Sequence, residues 1–289
     1  MKNFLLVFCK FVVATTLIFT VLLLVTGFLV KENFNYKLTD KKILILGDSH
    51  TLCGVDDAII PNSINLSESA DTYFYSYLKL REFCDRNENI TKVVLGFSEH
   101  NVSDSQDTWL KSESINNKKL MFYYFLFDLK DLQNFSQINP FHLIKNSARI
   151  IKGNIGHLYR IYKGAPVNEF GIGTHLKLYK NVENTLEIKP NKNIVIQDRK
   201  YAEADLQYLK KIYKYCENNK IELILLNSPV LQKNNSYNDH YLKTYHKFLY
   251  NAQLLDFSNL IKSKKYFNDI DHLNSDGAIF FSSFLKDRL

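Results

Sequence analysis

Glycine and proline are scarce, 10 and 5 in 289 residues, which excludes a collagen-like or low-complexity chain. The four cysteines form no C-x-x-C pair and no ligand-like spacing with histidine. That excludes a disulfide scaffold, argues against a structural zinc site, and leaves room for one disulfide or none among Cys53, Cys84 and Cys216. The formal charge is +7, yet no run of five basic residues occurs and acidic residues are interleaved throughout. A nucleic-acid surface is therefore not implied. With 46% hydrophobic and 23% charged residues, the chain has the composition of a globular protein able to bury a full core.

One long hydrophobic run is present. Phe11 to Val30 carries no charge and as a helix would measure about 30 Å, the thickness of a bilayer's hydrocarbon core. The run is apolar all round, unlike an amphipathic core helix. It is longer than the apolar region of a cleaved signal peptide, and no small-x-small site follows Gly27. The expectation is an uncleaved, single-pass signal anchor in the cytoplasmic (inner) membrane. Lys2 and Lys10 precede it and only a mild excess of positive charge favours a cytoplasmic N-terminus, with the remainder extracytoplasmic. This divides the chain into a tail (1–10), an anchor (11–30), a linker (31–40) and one domain (41–289).

Within that domain, short apolar runs alternate with helical periodicity. Strands are predicted at 43–46, 63–66, 92–97, 221–226 and 253–257, and helices at 71–86, 201–218, 239–251 and 278–285. Such alternation is the signature of parallel strands joined by helical crossovers. The predicted fold is α/β: a three-layer, doubly wound, mainly parallel five-stranded sheet with the anchor helix at its N-terminus. The pattern lapses over about 102–199, read as an insertion rich in aromatic residues. Trp109 and Phe122-Tyr123-Tyr124 could line a sugar cleft, or could pack in a core or on a membrane surface.

Two segments carry candidate chemistry. Gly47-Asp48-Ser49-His50 follows the first strand directly, so Ser49 would stand at the carboxyl edge of the sheet, where doubly wound folds place their sites. As a lone motif it reads first as a common turn with a Ser or Asp helix cap. The second is Asn268-Asp269-Ile270-Asp271-His272, between the last strand and the last helix. An Asp three residues before a His can turn back onto Nδ1 and leave Nε2 to act as general base toward a serine hydroxyl. Asp269 has that spacing, whereas Asp271 suits turn formation or capping. His50 and His100 belong near the same rim, as substrate contacts or as solvated side chains. His142, His157, His175, His240 and His246 show no ligand spacing, the register of a calcium loop is absent, and no metal or cofactor is expected. Five N-x-S/T triplets, at Asn65, Asn89, Asn101, Asn134 and Asn234, match the glycosylation signal, as an Asn-rich chain does by chance.

The two segments together resemble the SGNH (GDSL-like) hydrolase superfamily, a flavodoxin-like fold. Its nucleophile lies in a G-D-S block after the first strand, and its Asp and His in a C-terminal D-x-x-H block. The phrase HLNSDGAIFFSSFL resembles the ending of membrane-anchored members linked to envelope polysaccharides. The resemblance covers roughly 42–101 and 200–289. It implies Ser49 as nucleophile, His272 as general base and acid, and Asp269 as the orienting carboxylate. It also implies an oxyanion hole, for which the Ser67 N–H and the Asn101 side chain are the candidates, with Ser98 as the alternative to Asn101; the family's glycine and G-x-N-D Asn are not at those places.

The expected function is a membrane-anchored serine esterase or O-acyltransferase acting on acyl esters of a cell-envelope or exported polysaccharide. Its partners would be an acylated glycan or small acyl donor and other envelope polysaccharide proteins. The competing expectations are a catalytically inactive carbohydrate-binding or assembly component on the same fold, and a cytoplasm-facing lipid or thioester hydrolase.

Overall fold

The computed structural model describes residues 1–180, 202–231 and 238–289. The predicted sequon at Asn234, the first residue of the helix expected from Tyr201, and the 181–199 part of the expected insertion lie outside them. The chain divides into two compact units, one of residues 1–35 and 111–170, the other of residues 36–110 and 171–289.

The larger unit is α/β. Strands β1 (Ile43–Leu46), β2 (Ser63–Asn65), β3 (Lys92–Gly96), β4 (Glu222–Asn227) and β5 (Gln253–Asp256) form one sheet in the order β2-β1-β3-β4-β5. Every neighbouring pair is parallel. The order reverses between β1 and β3, the kind of switch point at which doubly wound sheets open a crevice. Alternation along the strands splits the core into two layers. Ile45, Val94 and Ile224, in register across three strands, pack with Phe267, Leu273, Phe281 and Leu285. Their neighbours Leu44, Leu46, Val93, Leu95 and Leu225 point the other way and are equally buried. Each such aliphatic side chain contributes roughly 1.5–3 kcal/mol by leaving water.

Helices cover the sheet in two sets. α2 (Ser49–Gly54) packs with the C-terminal helix α11 (Ser275–Lys286), and α3 (Tyr73–Cys84) packs with α9 (Glu203–Asn218). α9 buries one face, with Leu206, Leu209, Ile212 and Cys216 inside and Tyr213 half-buried. α3 is buried around most of its circumference, including Lys79 and Glu82, so its sequence carries no clean stripe. Two short helices, α4 (Glu99–Val102) and α5 (Ser105–Lys111), follow β3, and α10 (Asn238–Phe248) joins β4 to β5.

The expected insertion at 102–199 is narrower on its N-terminal side. Residues 102–110 belong to the α/β unit because they cap α9: the Val102 carbonyl accepts the Ala202 N–H, and the Asp107 carboxylate accepts those of Ala204 and Asp205. Residues 171–180 also belong there, as an extended segment whose Thr174 N–H donates to Ser67 O and whose Leu178 O accepts the Ser275 N–H.

The smaller unit is entirely helical. α1 (Lys2–Asn33) extends beyond the predicted anchor at both ends and is long and apolar enough to span a membrane. It shares the unit with α6 (Glu113–Tyr123), α7 (Leu129–Ile138) and α8 (His142–Tyr162). α8 packs on both α1 and α6. Gly153 of α8 allows the closest approach, since a Cβ there would stand 2.1 Å from the Met121 carbonyl oxygen. Tyr123 and Tyr124, candidates for a sugar cleft, are buried in this unit.

Candidate active site

The site forms where β1 and β3 end, side by side. Gly47, at φ +151°, turns the chain out of β1; a Cβ there would meet Thr51 Oγ1 at 2.3 Å and the Gly96 backbone at 3.2 Å. No other residue type fits without displacing β3. The turn delivers Asp48 as N-cap of α2, its Oδ1 accepting the His50 N–H at 3.0 Å, and Ser49 as the first helical residue. The Ser49 N–H, in the first turn, has no intrahelical acceptor.

The C-terminal loop arrives at the same edge. Phe267 and Leu273 form an antiparallel bridge, and the Asn268 N–H donates to His272 O at 2.9 Å, closing a tight loop around Asp269. Oδ1 of Asp269 accepts the backbone N–H groups of Asp271 and His272, both at 2.9 Å. His272 Nδ1 stands 2.9 Å from the same oxygen and 3.0 Å from Oδ2. A carboxylate can only accept, so Nδ1 carries the proton and Nε2 is left with its lone pair. Nε2 lies 2.8 Å from Ser49 Oγ. Two residues 223 positions apart are thus within hydrogen-bond distance, in the Ser–His–Asp order that activates a hydroxyl nucleophile. Burial works against the Asp269 charge, but the Asp271 N–H, the His272 imidazole and the Asn268 amide outweigh it and hold this carboxyl below the usual range. Asp271 is pushed the opposite way, by burial and by the charge of Asp269, with His272 offsetting part of it.

The block after β3 builds a second network. Ser98 caps α4 in a reciprocal arrangement with Asn101: Asn101 Oδ1 accepts the Ser98 N–H at 3.0 Å and the Ser98 hydroxyl at 2.7 Å. The Asn101 amide donates to Asp48 Oδ2 at 2.7 Å, and His100 Nε2 donates to that oxygen at 2.5 Å. His100 Nδ1 is 2.8 Å from Ser98 Oγ. With the Ser98 hydroxyl proton on Asn101 Oδ1, a protonated Nδ1 would donate to Ser98 Oγ, an arrangement suited to the imidazolium form of His100. Burial opposes that charge, but Asp48 outweighs it and raises the His100 pKa above its ordinary 6.5. Asp48, likewise penalised by burial, is held well below the carboxylate range chiefly by His100. His50 lies between the two other imidazoles, its ring centroid 4.4 Å from His100 and 5.3 Å from His272. Burial first, then the charge of His100, lowers its pKa to about 3, so it is neutral.

The structure therefore brings Ser49, His50, His100, Asp269 and His272 to one rim. It gives the two expected oxyanion donors other partners. The Asn101 amide is committed to Asp48, as described, and the Ser67 N–H donates to Asn65 Oδ1 at 2.9 Å, because Asn65 turns back to fix the loop leaving β2. Its amide donates to Thr51 O and Val55 O, so neither Asn65 nor Asn101, both buried, has an exposed side chain for a glycan. Ser98 is likewise consumed by its cap.

Three residues escaped the sequence reading. Asp48, a helix cap by its sequence position, also ties α4 to α2. Lys79 is fully buried and donates to Leu66 O, to Asp71 Oδ2 at 2.5 Å and to Ile172 O at 3.0 Å, pinning the loop after β2. Asp205 caps α3 through the Tyr73 and Phe74 N–H groups, both at 3.0 Å. Buried charges must be paired, and α3's odd lysine was the available signal. Trp109, on α5, stands with its ring centroid 6.4 Å from that of His100. Cys53 lies in α2, and burial, reinforced by Asp269 and Asp48, raises its thiol to about 12; all four cysteines are free. Asp48, His50 and His100 offer three ligand atoms within 4.8 Å of one another. A metal there would have to displace the Asp48–His100 hydrogen bond.

A family model for a domain of unknown function matches residues 163–289, a stretch that contains Asp269 and His272 but not Ser49. No curated protein and no solved structure matches the chain.

Proposed function

We propose that this chain is a membrane-anchored serine esterase or O-acyltransferase of the SGNH (GDSL-like) type, acting on acyl esters of a cell-envelope or exported polysaccharide. One observation carries the reading: Ser49 Oγ lies 2.8 Å from His272 Nε2 while Nδ1 of the same ring is held by Asp269. In the reaction, Ser49 Oγ attacks the ester carbonyl carbon as Nε2 takes its proton. The tetrahedral intermediate collapses, and Nε2–H passes that proton to the departing alkoxide, leaving an acyl-Ser49. Water or a sugar hydroxyl then attacks the acyl carbon, again through His272, and Ser49 is regenerated. The Ser49 N–H, without an intrahelical acceptor, is the group at hand to stabilise the oxyanion. Trp109, half-buried at the rim, offers a flat apolar face of the kind on which pyranose rings stack. α1 serves as the anchor, with its N-terminus cytoplasmic and the α/β unit on the far side of the inner membrane.

The engaged state of Asn101 and of the Ser67 N–H favours a second reading, a catalytically silent carbohydrate-binding or assembly component on the same fold. Fluorophosphonate labelling of the full chain in detergent separates the two. The catalytic reading expects covalent labelling that Ser49→Ala and His272→Ala abolish. A folded chain that takes no label would establish the silent role. Mass analysis of the products, free acid against acylated sugar, then distinguishes hydrolysis from transfer.

A further inference from the structure

One helix of the smaller unit is turned the wrong way round for water. On α8, the buried positions are Asn146, Ile150, Gly153, Asn154 and His157, four of them small or polar. The large apolar residues face outward: Ile144 is 67% exposed, Ile155 56%, Tyr159 62% and Tyr162 82%, with Phe141 at 67% just before the helix. At about 100° per residue these five fall on a stripe only some 60° wide. Lys145, Arg149, Lys152 and Arg160 occupy the stripe beside it, and the helix contains no acidic residue. A helix facing water shows the reverse partition, and an exposed apolar patch with a charged rim marks a surface that something covers.

We propose that α8 lies in the membrane interface, its apolar stripe against acyl chains and its basic stripe against anionic headgroups, in the leaflet at the C-terminal end of α1. The inference rests on the reading of α1 as a membrane span. Continuity with that span selects a bilayer as the occupant. The Asn154 amide of α8 donates to Thr26 Oγ1 at 3.0 Å, and Gly27 of α1 is buried beneath Tyr124. Thr26 lies four residues inside the Val30 end of the uncharged run, about 6 Å at 1.5 Å per residue. Amphipathic helices seat about 5–10 Å into the interface, so a helix bonded to Thr26 sits at that depth. On α1 the neighbouring Leu24, Val25 and Phe28 remain exposed, and they extend the apolar surface onto the anchor. Charge agrees: a purely basic stripe complements anionic lipid, and outward tyrosines suit the headgroup level.

Depth-dependent fluorescence quenching tests this on the full chain. Trp109 is the only tryptophan, so Trp109→Phe gives a silent background into which Leu17→Trp, Ile144→Trp, Ile155→Trp or Tyr250→Trp is introduced. Each variant is reconstituted into phosphatidylcholine–phosphatidylglycerol vesicles whose acyl chains are brominated either near the headgroup or near the chain end. Position 17 should be quenched most by the deep bromines, positions 144 and 155 by the shallow ones, and position 250, in the α/β unit, only by aqueous acrylamide. Quenching at 17 while 144 and 155 respond like 250 would overturn the placement of α8 and leave the anchor intact. Failure of quenching at 17 would remove the anchor and the proposal with it. Shielding of 144 and 155 from both bromine and acrylamide would assign the stripe to a protein partner or a second copy instead, and would equally overturn it.

Discussion

Asp269 holds His272 twice, through the backbone N–H and through Nδ1, both at 2.9 Å from the same Oδ1. The first bond fixes the loop and the second fixes the tautomer, so one oxygen sets both the position of the imidazole and which nitrogen faces Ser49. Asp269→Asn should keep the loop, because an amide oxygen still accepts the backbone N–H. It would also let the side-chain amide donate to Nδ1, placing the proton on Nε2, where it cannot serve as base. Loss of the correct tautomer costs on the order of 10⁴-fold in turnover. Ester turnover and labelling rate should both fall by that order with an unchanged melting temperature. A loss under tenfold would show that Asp269 does not orient the base.

Asn101 is bound at both ends, to Ser98 by its oxygen and to Asp48 by its nitrogen. It therefore acts as a strut between α4 and α2. Asn101→Asp would set two carboxylates against each other at the Asp48 contact and should destabilise the domain. Asn101→Ala should lower stability more than it lowers turnover. Removal of a true oxyanion donor costs about 100-fold or more in kcat, so a loss of that size in a normally stable Asn101→Ala protein would restore Asn101 to the oxyanion hole.

The parts legible in the sequence were those set by local pattern. Apolar runs placed all five strands to within their end residues, and the two motifs at the ends of the α/β pattern named Ser49 and His272, which the fold brings within hydrogen-bond distance. The convergence itself followed from strand order: β1 lies inside the sheet beside β3, and the C-terminal loop after β5 folds back across the rim. What stayed hidden depends on contacts between distant segments. Lys79 reads as one charged residue on an aromatic helix until Asp71, Leu66 O and Ile172 O surround it. The Asn101 amide reads as a free donor until Asp48 is seen beneath it. The helical unit was hidden for a different reason: an outward apolar face on α8 imitates an inward one, and periodicity does not say which side is solvent.

The Asp48–His100 pair makes stability depend on pH in a stated direction. His100 is raised above 6.5 in the fold, so its contribution is complete below the unfolded value near 6.5 and is lost as pH rises through the folded one. Asp48 is depressed, so its contribution is present above the unfolded value of about 3.9 and is lost only as pH falls through its own low folded value. The pair thus stabilises the fold most between about pH 4 and 6.5. Thermal unfolding of the wild type and of His100→Gln should differ most in that window and converge as the pH is raised beyond it. A difference that stays constant into the alkaline range would show that His100 acts by packing and not by charge.

Lys79 and Asp71 are both fully buried and meet at 2.5 Å. Such a pair is weak evidence of net stabilisation, because two charges have been removed from water, but it becomes a liability once one member is lost. Lys79→Met leaves the Asp71 charge buried without this cation and should cost about 3–5 kcal/mol in chemical denaturation. Asp71→Asn combined with Lys79→Met removes both charges and should recover a large part of that loss, since residues in contact are not additive. The lysine also holds Leu66 O, and the Glu68 N–H two residues on donates to Gly47 O at 3.1 Å, so the loop it pins lies against the turn that presents Ser49. The single variant should therefore also slow fluorophosphonate labelling under conditions where it remains folded, and the double variant, which restores stability without restoring the tether, should stay slow. Recovery of stability and labelling together would mean that Lys79 only neutralises charge and has no part in positioning the site.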